Sequence, residues 1–341
     1  MKRIGNLYEK IISLENLQLA DEKARRGKIN SYGVRLHDKN REANIIALHE
    51  QLKNRAFVNS PYSTFTIYEP KERLIFRLPY YPDRILHHAI MNVLEPIWVS
   101  VFTTDTYSCI KGRGIHGAMR KVKKSLRDKE NTRYCLKIDV RKFYPSIDHD
   151  VLKQVIRRRI KCADTLKLLD TIIDSTDGVP IGNYLSQYFA NLMLAYFDHW
   201  IKEVKRVRYY FRYADDMVFL SSSKEELQAL LKEIKAYLAT LKLSLKGNEQ
   251  VFPIAENRND KHGRGLDFVG FVFYHNQTLI RKGIKKNFCR AAARLNKRND
   301  ISAAEYKQRL CSWFGWAKVC NSKHLLKTII KPQFYETCIL R

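Results

Sequence analysis

VRYYFRYADDMVFLSS, residues 207–222, sets two runs of aromatic and β-branched residues on either side of Ala214-Asp215-Asp216. Such residues favour extended backbone, and a short polar break between two such runs marks a tight hairpin. The pattern predicts a strand, a turn carrying two carboxylates, and a returning strand. Upstream, RYCLKIDV at 133–140 is a third strand-like run ending near Asp139, and RKFYPSIDHDVLKQVIRRRI continues it into a helix. Downstream, EELQALLKEIKAYLATLKLSL at 225–245 returns to helical spacing and then to strand. Strand, helix, hairpin, helix predicts an α+β arrangement whose sheet presents acids along one edge.

A buried carboxylate is costly to leave unpaired, and three near strand ends repel one another unless cations compensate them. Divalent metal is the economical compensation. Two Mg²⁺ ions, with Mn²⁺ as a substitute, can activate an attacking oxygen and stabilise a leaving pyrophosphate, and carboxylates from adjacent strands would hold both. Asp139 and Asp215 are the expected principal ligands, with Asp216 beside them. The spacing of 76 residues from Asp139 to Asp215 leaves room for helices, so these acids meet only in the fold. The competing reading is a surface acidic turn and an unrelated helix cap.

The chain of 341 residues and 40.2 kDa is long enough to bury a sizeable core in two or three subdomains. Lys and Arg number 62 against 35 Asp and Glu, giving +27, while 45% of residues are hydrophobic; the expected partner is a polyanion. Two stretches hold most of that excess. Residues 111–161 carry 17 Lys/Arg against 5 acids, and residues 251–341 carry 18 against 6. They flank the acidic hairpin and fit tracks for a phosphate backbone, with solvated faces as the alternative. Seven cysteines include no CxxC pair, and no apolar run reaches the roughly 20 residues of a membrane span. The expectation is a cytoplasmic protein without structural zinc, disulfides or a membrane anchor, with His87 and His88 in structural or surface roles.

FRYADDMVF resembles the YxDD hairpin of reverse transcriptases, and LKIDVRKFYPSIDHD resembles their first metal-binding motif. The resemblance runs over roughly residues 50–330 and implies a right-hand polymerase fold: α+β, with fingers, a palm bearing an antiparallel sheet, and a helical thumb. Its expected bounds are an N-terminal helical extension at 1–50, fingers at 51–132, and a palm with an interspersed fingers segment at 133–265. A primer-grip hairpin at 266–280 and a thumb at 281–341 follow. The implied metal set is Asp139, the backbone carbonyl of Val140, Asp215 and Asp216.

Around the metals, the resemblance puts Tyr144 beneath the incoming sugar, where its ring would exclude a ribose 2′-OH, and leaves Phe143 in the core. STFTIYEPKERLIFRL at 63–78 reads as a hairpin turning at Pro70, with Lys71 and Arg73 placed to hold a triphosphate and Arg77 as a further candidate. Lys246, in LSLKGNEQ, is implied at the nucleotide phosphates. LDFVGFVF at 266–273 resembles the primer grip, with Gly270 permitting close backbone approach. Basic helical runs around Trp313, Phe314 and Trp316 resemble a thumb, the three rings serving either nucleic-acid stacking or core packing.

GVPIGNYLSQ, residues 178–187, departs from the common QGxxxSP pattern by having Ile181 for Gln and Gln187 for Pro. Gly182 allows close approach, and Asn183, Ser186 and Gln187 are candidate template or primer contacts, with Ile181 and Gly182 at the nucleotide. This form is similar to that of reverse transcriptases of diversity-generating retroelements, relatives of the group II intron enzymes. Ile can pack but cannot hydrogen-bond a base, which implies relaxed pairing. The implied function is RNA-directed DNA polymerisation that copies a template-repeat RNA into cDNA, error-prone at template adenines, for mutagenic retrohoming. Its partners would be template RNA, the RNA/cDNA duplex, dNTPs and a basic oligomeric accessory protein, in a bacterial, archaeal or phage setting. The alternatives are a group II intron-like, retron or phage-defence reverse transcriptase and, outside enzymes, an RNA-binding scaffold. No stretch reads as a nuclease module.

Overall fold

The computed structural model describes residues 2–68 and 72–339. The architecture is α+β, with a central antiparallel sheet and flanking helices. The chain divides into two compact units, each assembled from three separated stretches.

The first unit takes Met1–Ile110, Val140–Arg206 and Ile234–Lys246. Its central helix, Ile85–Val99, buries Ile85, Leu86, Ala89, Ile90, Leu94 and Trp98, repeats at three- and four-residue spacing that wrap most of the cylinder in apolar contact. His87 and His88 are buried in the same helix. Burial, with the neighbouring positive charge of Arg84, pushes them down to about 3 and about 4, so both are neutral core residues. Helix Leu14–Ala24, capped by the Ser13 hydroxyl, packs a Leu17/Ala20/Ala24 stripe on it, and the Asn16 amide donates to Ala89 O at 3.0 Å. The helix ends at Ala24, and Gly27, at φ +68°, turns the chain that follows. Strands β1 (Ser63–Ile67) and β2 (Arg73–Arg77) form the expected antiparallel pair, Ser63 opposite Arg77. The Pro70 turn and Lys71 lie outside the described residues.

The second unit takes Lys111–Asp139, Val207–Glu233 and Gly247–Arg341. Strands β3 (Tyr134–Asp139), β4 (Tyr209–Tyr213), β5 (Asp216–Ser221) and β6 (Gln250–Pro253) lie in the order β4-β5-β3-β6, all antiparallel. The edge strand β6 was not anticipated. The strand expected near residue 245 is instead an isolated bridge from Leu245 to Val140 in the first unit. The expected hairpin at 266–280 is a three-stranded sheet of β7 (Leu266–Phe268), β8 (Phe271–Phe273) and β9 (Thr278–Ile280). Four helices follow, Lys282–Asn296, Ala303–Ala317, Lys323–Ile329 and Pro332–Ile339. Phe288, Tyr306, Leu310 and Phe314 form their core, and Trp313 stacks on Phe288 with centroids 5.8 Å apart. Trp316 packs on Phe271 at 5.1 Å. The three aromatic residues thus serve packing in this structure. Among the described residues no helix is long and apolar enough to cross a membrane.

One ionic network fixes the N-terminal helices of the first unit. Asp21, with no exposed surface, accepts hydrogen bonds from Tyr80 Oη at 2.5 Å, Arg41 Nε at 2.6 Å and Arg25 at 2.9 Å. Burial alone would raise its pKa, but those three donors outweigh burial and hold it below the ordinary 3.8. A depressed folded value means stability present above the ordinary pKa and lost as pH falls through the folded one. Asp21→Asn should therefore destabilise the chain by roughly 3 kcal/mol at pH 7, since it removes the buried anion shared by Tyr80, Arg41 and Arg25 and leaves Arg25 with Asp38 alone. Urea denaturation across pH 7 to 3 should show the wild type losing that advantage toward acid; parallel curves at every pH would contradict the account.

Candidate active site

The register of the central sheet creates the site. Ile138 faces Met217, Leu136 faces Phe219, and the same register sets Asp139 opposite Asp216. Cβ atoms of directly opposed residues lie roughly 4.5–5.5 Å apart, so the two carboxylates share one edge of β3 and β5. Asp215 occupies the turn between β4 and β5, half-buried, beside Ala214 with its φ of +55°. The three expected acids therefore belong to one unit and one sheet end.

That turn has an unanticipated support. Arg212 on β4 has no exposed surface, and its Nη1 donates to Ala214 O at 3.0 Å. A guanidinium is a costly group to bury, and here it stabilises the left-handed residue that aims the two carboxylates. The position was visible as the Arg of FRYADD, but a charged residue inside a strand gives no sign of which side its guanidinium will serve.

Lys137 is the second unanticipated residue. It precedes Asp139 by two positions and so shares its face of β3. Its Nζ lies 3.4 Å from Asp216 Oδ2 and donates a hydrogen bond to Asp267 O on β7. The Asp267 carboxylate pairs in turn with Arg281, the residue before helix Lys282–Asn296. Burial pushes Asp216 up to about 6, with Lys137 opposing the shift, Asp139 adding to it and Arg281 opposing it more weakly. Oδ1 of Asp216 is buried and has no hydrogen-bond partner among the described residues. Paired carboxylates, one with an unsatisfied buried oxygen, fit a hard divalent cation, which takes oxygen ligands. The side chains as they stand do not bring three His, Cys, Asp or Glu residues together as a ready ligand group among the described residues.

The remaining candidates divide between the units. Val140, whose carbonyl was expected at the metal, belongs to the first unit, buried and bridged to Leu245. Tyr144 is half-buried in a short 3₁₀ turn, its ring edge-on to the buried Phe143, and its carbonyl accepts from Val179 N at 2.9 Å. Arg73 opens β2 and is exposed; Lys246 is exposed.

The 178–187 segment docks on β2. Ile181 O accepts from Phe76 N at 2.8 Å, and a Cβ on Gly182 would lie 2.2 Å from Phe76 O. With φ at +127°, Gly182 is where two backbones meet, its missing Cβ admitting the Phe76 carbonyl of the hairpin. Ser186, expected at template or primer, is buried and donates to Pro180 O at 2.6 Å; the Asn183 amide donates to Tyr62 Oη at 2.7 Å. Gln187 alone of the three polar candidates is exposed. A cavity of about 850 Å³ in the first unit is lined by Gly182, Asn183, Lys28, Arg77 and Arg84 among others, with no carboxylate in its lining among the described residues. In the second unit, a Cβ on Gly270 would lie 2.4 Å from the Trp316 ring, so the primer-grip candidate is pressed against its own helix.

If the Arg212 contact holds the turn, Arg212→Met leaves the Ala214 carbonyl without that donor, at about 1–3 kcal/mol. Hydrogen exchange at the amides of residues 213–217 should then speed up roughly tenfold or more, with exchange in the four C-terminal helices unchanged. Unaltered exchange at the turn would show that β4 and β5 hold it unaided.

Three comparisons bear on this geometry. The profile of the family described as reverse transcriptase (RNA-dependent DNA polymerase) matches residues 69–252. Protein YkfC of Escherichia coli K12 is 28% identical over 271 residues, covering 65% of this chain and 68% of that protein. The group II intron-encoded protein LtrA of Lactococcus lactis subsp. cremoris is 23% identical over 232 residues, covering 63% of this chain and 36% of its own length. Among solved structures, apo telomerase of Candida tropicalis, truncated at its C-terminal domain, superposes with a TM-score of 0.48 at 13% identity, covering 68% of this chain and 58% of that one. The matched profile spans more than half of the sequence, from the hairpin of β1 and β2 to the edge strand β6, and with it this chain belongs to the reverse transcriptase family as a reverse transcriptase-type enzyme.

Proposed function

We propose that this chain is an RNA-directed DNA polymerase of the group II intron-related kind, working on a primed RNA template with dNTPs. The observation that carries the proposal is the Asp139–Asp216 pair with the adjacent Asp215, set by strand register at one sheet edge and only partly neutralised by Lys137. Similarity to the group II intron-encoded protein LtrA supports the group II intron-related reading over the other branches. Asp139, Asp215 and Asp216 would hold two Mg²⁺ ions, with Mn²⁺ as a substitute and the Val140 carbonyl as a further oxygen. Such ions, when bound, supply charge stabilisation for phosphoryl transfer from a dNTP to a primer 3′-OH.

The chain's own residues do the rest by position and charge. Arg212 and the β4–β5 turn keep the carboxylates aimed. Arg73, with Lys71 and Lys246, provides positive charge for a triphosphate. Tyr144 offers a ring, half-buried and backed by Phe143, that can refuse a 2′-hydroxyl by bulk. Lys28, Arg77 and Arg84 around the 850 Å³ cavity suit a polyanion such as single-stranded RNA.

A second reading, mutagenic copying of a template-repeat RNA with a basic accessory protein, is favoured by one observation. Ile181 stands where a hydrogen-bonding Gln is common, and its carbonyl is occupied by Phe76. Under that reading cDNA carries substitutions concentrated opposite template adenine, and Ile181→Gln lowers them.

Primer extension on an RNA template with dNTPs and Mg²⁺ tests the proposal. Asp139→Asn and Asp216→Asn should each lower incorporation on the order of 10²–10³-fold or more while leaving the chain folded. Near-normal incorporation by either variant, or none by the wild type, counts against it. Tyr144→Ala should raise the use of ribonucleotides relative to dNTPs by roughly 10–200-fold, the range one steric pocket contact supplies; unchanged selectivity would return Tyr144 to a packing role. Sequencing the wild-type products decides between the intron-like and mutagenic readings.

A further inference from the structure

The second unit holds another cavity, away from the aspartates, whose walls are built by chain segments unrelated to the acidic hairpin. On one side, the segment between β6 and β7 is pinned from within. The Asp260 carboxylate accepts from Glu256 N at 2.8 Å and His262 N at 2.9 Å, and Asn257 Oδ1 accepts from Asn259 N at 2.9 Å. Glu256 is itself committed: its carboxylate pairs with Lys129 at 2.7 Å and accepts from the Asn276 amide at 2.5 Å. On the other side, Asn321 exchanges two hydrogen bonds with Thr278, its Oδ1 accepting at 2.9 Å and its N–H donating at 2.8 Å. That exchange fixes β9 to the start of helix Lys323–Ile329.

The cavity between these walls has a volume of about 680 Å³. Arg258, Lys285 and His324 supply its basic groups, and no Asp or Glu lines it among the described residues. Planar amides surround them, Asn257, Asn259, Asn276 and Gln277, and Leu279 with Leu325 forms an apolar ledge. The acids nearest in sequence, Glu256 and Asp260, are spent on Lys129, Asn276 and backbone N–H groups, so the basic side chains are not neutralised from within the loop.

This inventory discriminates among ligands. An apolar molecule would leave the cations uncompensated, and an inorganic anion would leave the ledge and amides uncovered. A nucleotide uses all three: phosphate on Arg and Lys, base face on Leu279 and Leu325, base edges on amides that both donate and accept. The volume lies within the roughly 300–1,000 Å³ of small-ligand sites. Asn276 and Gln277 sit at the β8–β9 connection, the opposite end of β8 from Gly270. At about 3.3 Å per residue the three residues of β8 put roughly 10 Å between those ends.

We infer that this cavity binds one nucleotide unit, either an unstacked nucleotide of an RNA or a free mononucleotide, at a site separate from the carboxylate edge. The inference does not depend on the polymerase reading.

Photo-crosslinking of the full chain tests it in two arms, a 12-nucleotide single-stranded RNA carrying one 4-thiouridine and 4-thiouridine monophosphate alone. Adducts should map to residues 276–279 or 321–325 and fall about tenfold or more in an Arg258→Ala/Gln277→Ala variant, whose primer extension stays within about twofold of wild type. Arg258→Lys, which keeps the charge and loses the planar fork, should give an intermediate yield and covers the case in which the double variant misfolds. Adducts in the RNA arm alone identify the ligand as part of a strand; adducts in both arms show that a free nucleotide suffices. No adduct at these residues in either arm, or a yield indifferent to both variants, overturns the inference. Adducts formed by a wild-type chain that extends no primer would sink the polymerase reading and leave this one standing.

Discussion

Two carboxylates forced into opposition by a β-ladder are the constraint on which the site depends. The side-chain period of a strand is two, so a one-residue slip between β3 and β5 would turn Leu136 and Phe219 out of the core along with every other buried pair. The apolar residues therefore hold the register, and the register holds Asp139 against Asp216 whatever those acids cost. Part of that cost is visible in Asp216, raised to about 6 by burial with the charge of Asp139 adding to it. Stability and function pull in opposite directions at this edge, and the strongly buried strands β4 and β5 supply the margin.

In the first unit the same economy applies to backbone. The 178–187 segment spends its polar groups internally: Ile181 O on Phe76, Ser186 Oγ on Pro180, Asn183 Nδ2 on Tyr62. Such bonds make a rigid loop, and rigidity costs these side chains their freedom to reach a nucleic acid. Under the proposed function, contact with a template would fall to the exposed Gln187 and to the cations lining the cavity beside Gly182, which can attract phosphate without reading a base. Ile181, half-buried, contributes shape rather than a hydrogen bond.

Much of this was legible before any coordinates, for reasons that differ by element. β3, β4 and β5 were legible because strands buried on both faces are written in dense aromatic and β-branched residues. The edge strand β6, QVFP, was not, since an edge needs only one apolar neighbour and four residues carry little periodicity. The acids were legible because carboxylates at strand ends have few structural uses. Lys137 and Arg212 were not, because a cation inside a strand reads as an alternating polar position until its partner is known. Glycines were legible in one respect only. Gly182 and Gly270 mark close approach, as their positive φ values and short Cβ distances attest, but the sequence does not say what approaches, and here it is Phe76 and Trp316.

The partner of Lys137 shows how a local charge becomes a mechanical link within the second unit. Its ammonium group touches the Asp216 carboxylate and the Asp267 carbonyl, Asp267 pairs with Arg281, and Arg281 N donates to Gly270 O where the β7–β8 turn meets Trp316. The central sheet, the three-stranded sheet and the first of the C-terminal helices are thus joined by one series of ion pairs and hydrogen bonds. A cation bound between Asp139 and Asp216 would compete with Lys137 for the Asp216 carboxylate, loosening its hold on Oδ2 while Asp267 and Arg281 stay paired. The charge of the carboxylate edge and the seating of β7 are therefore not independent quantities, because one lysine serves both.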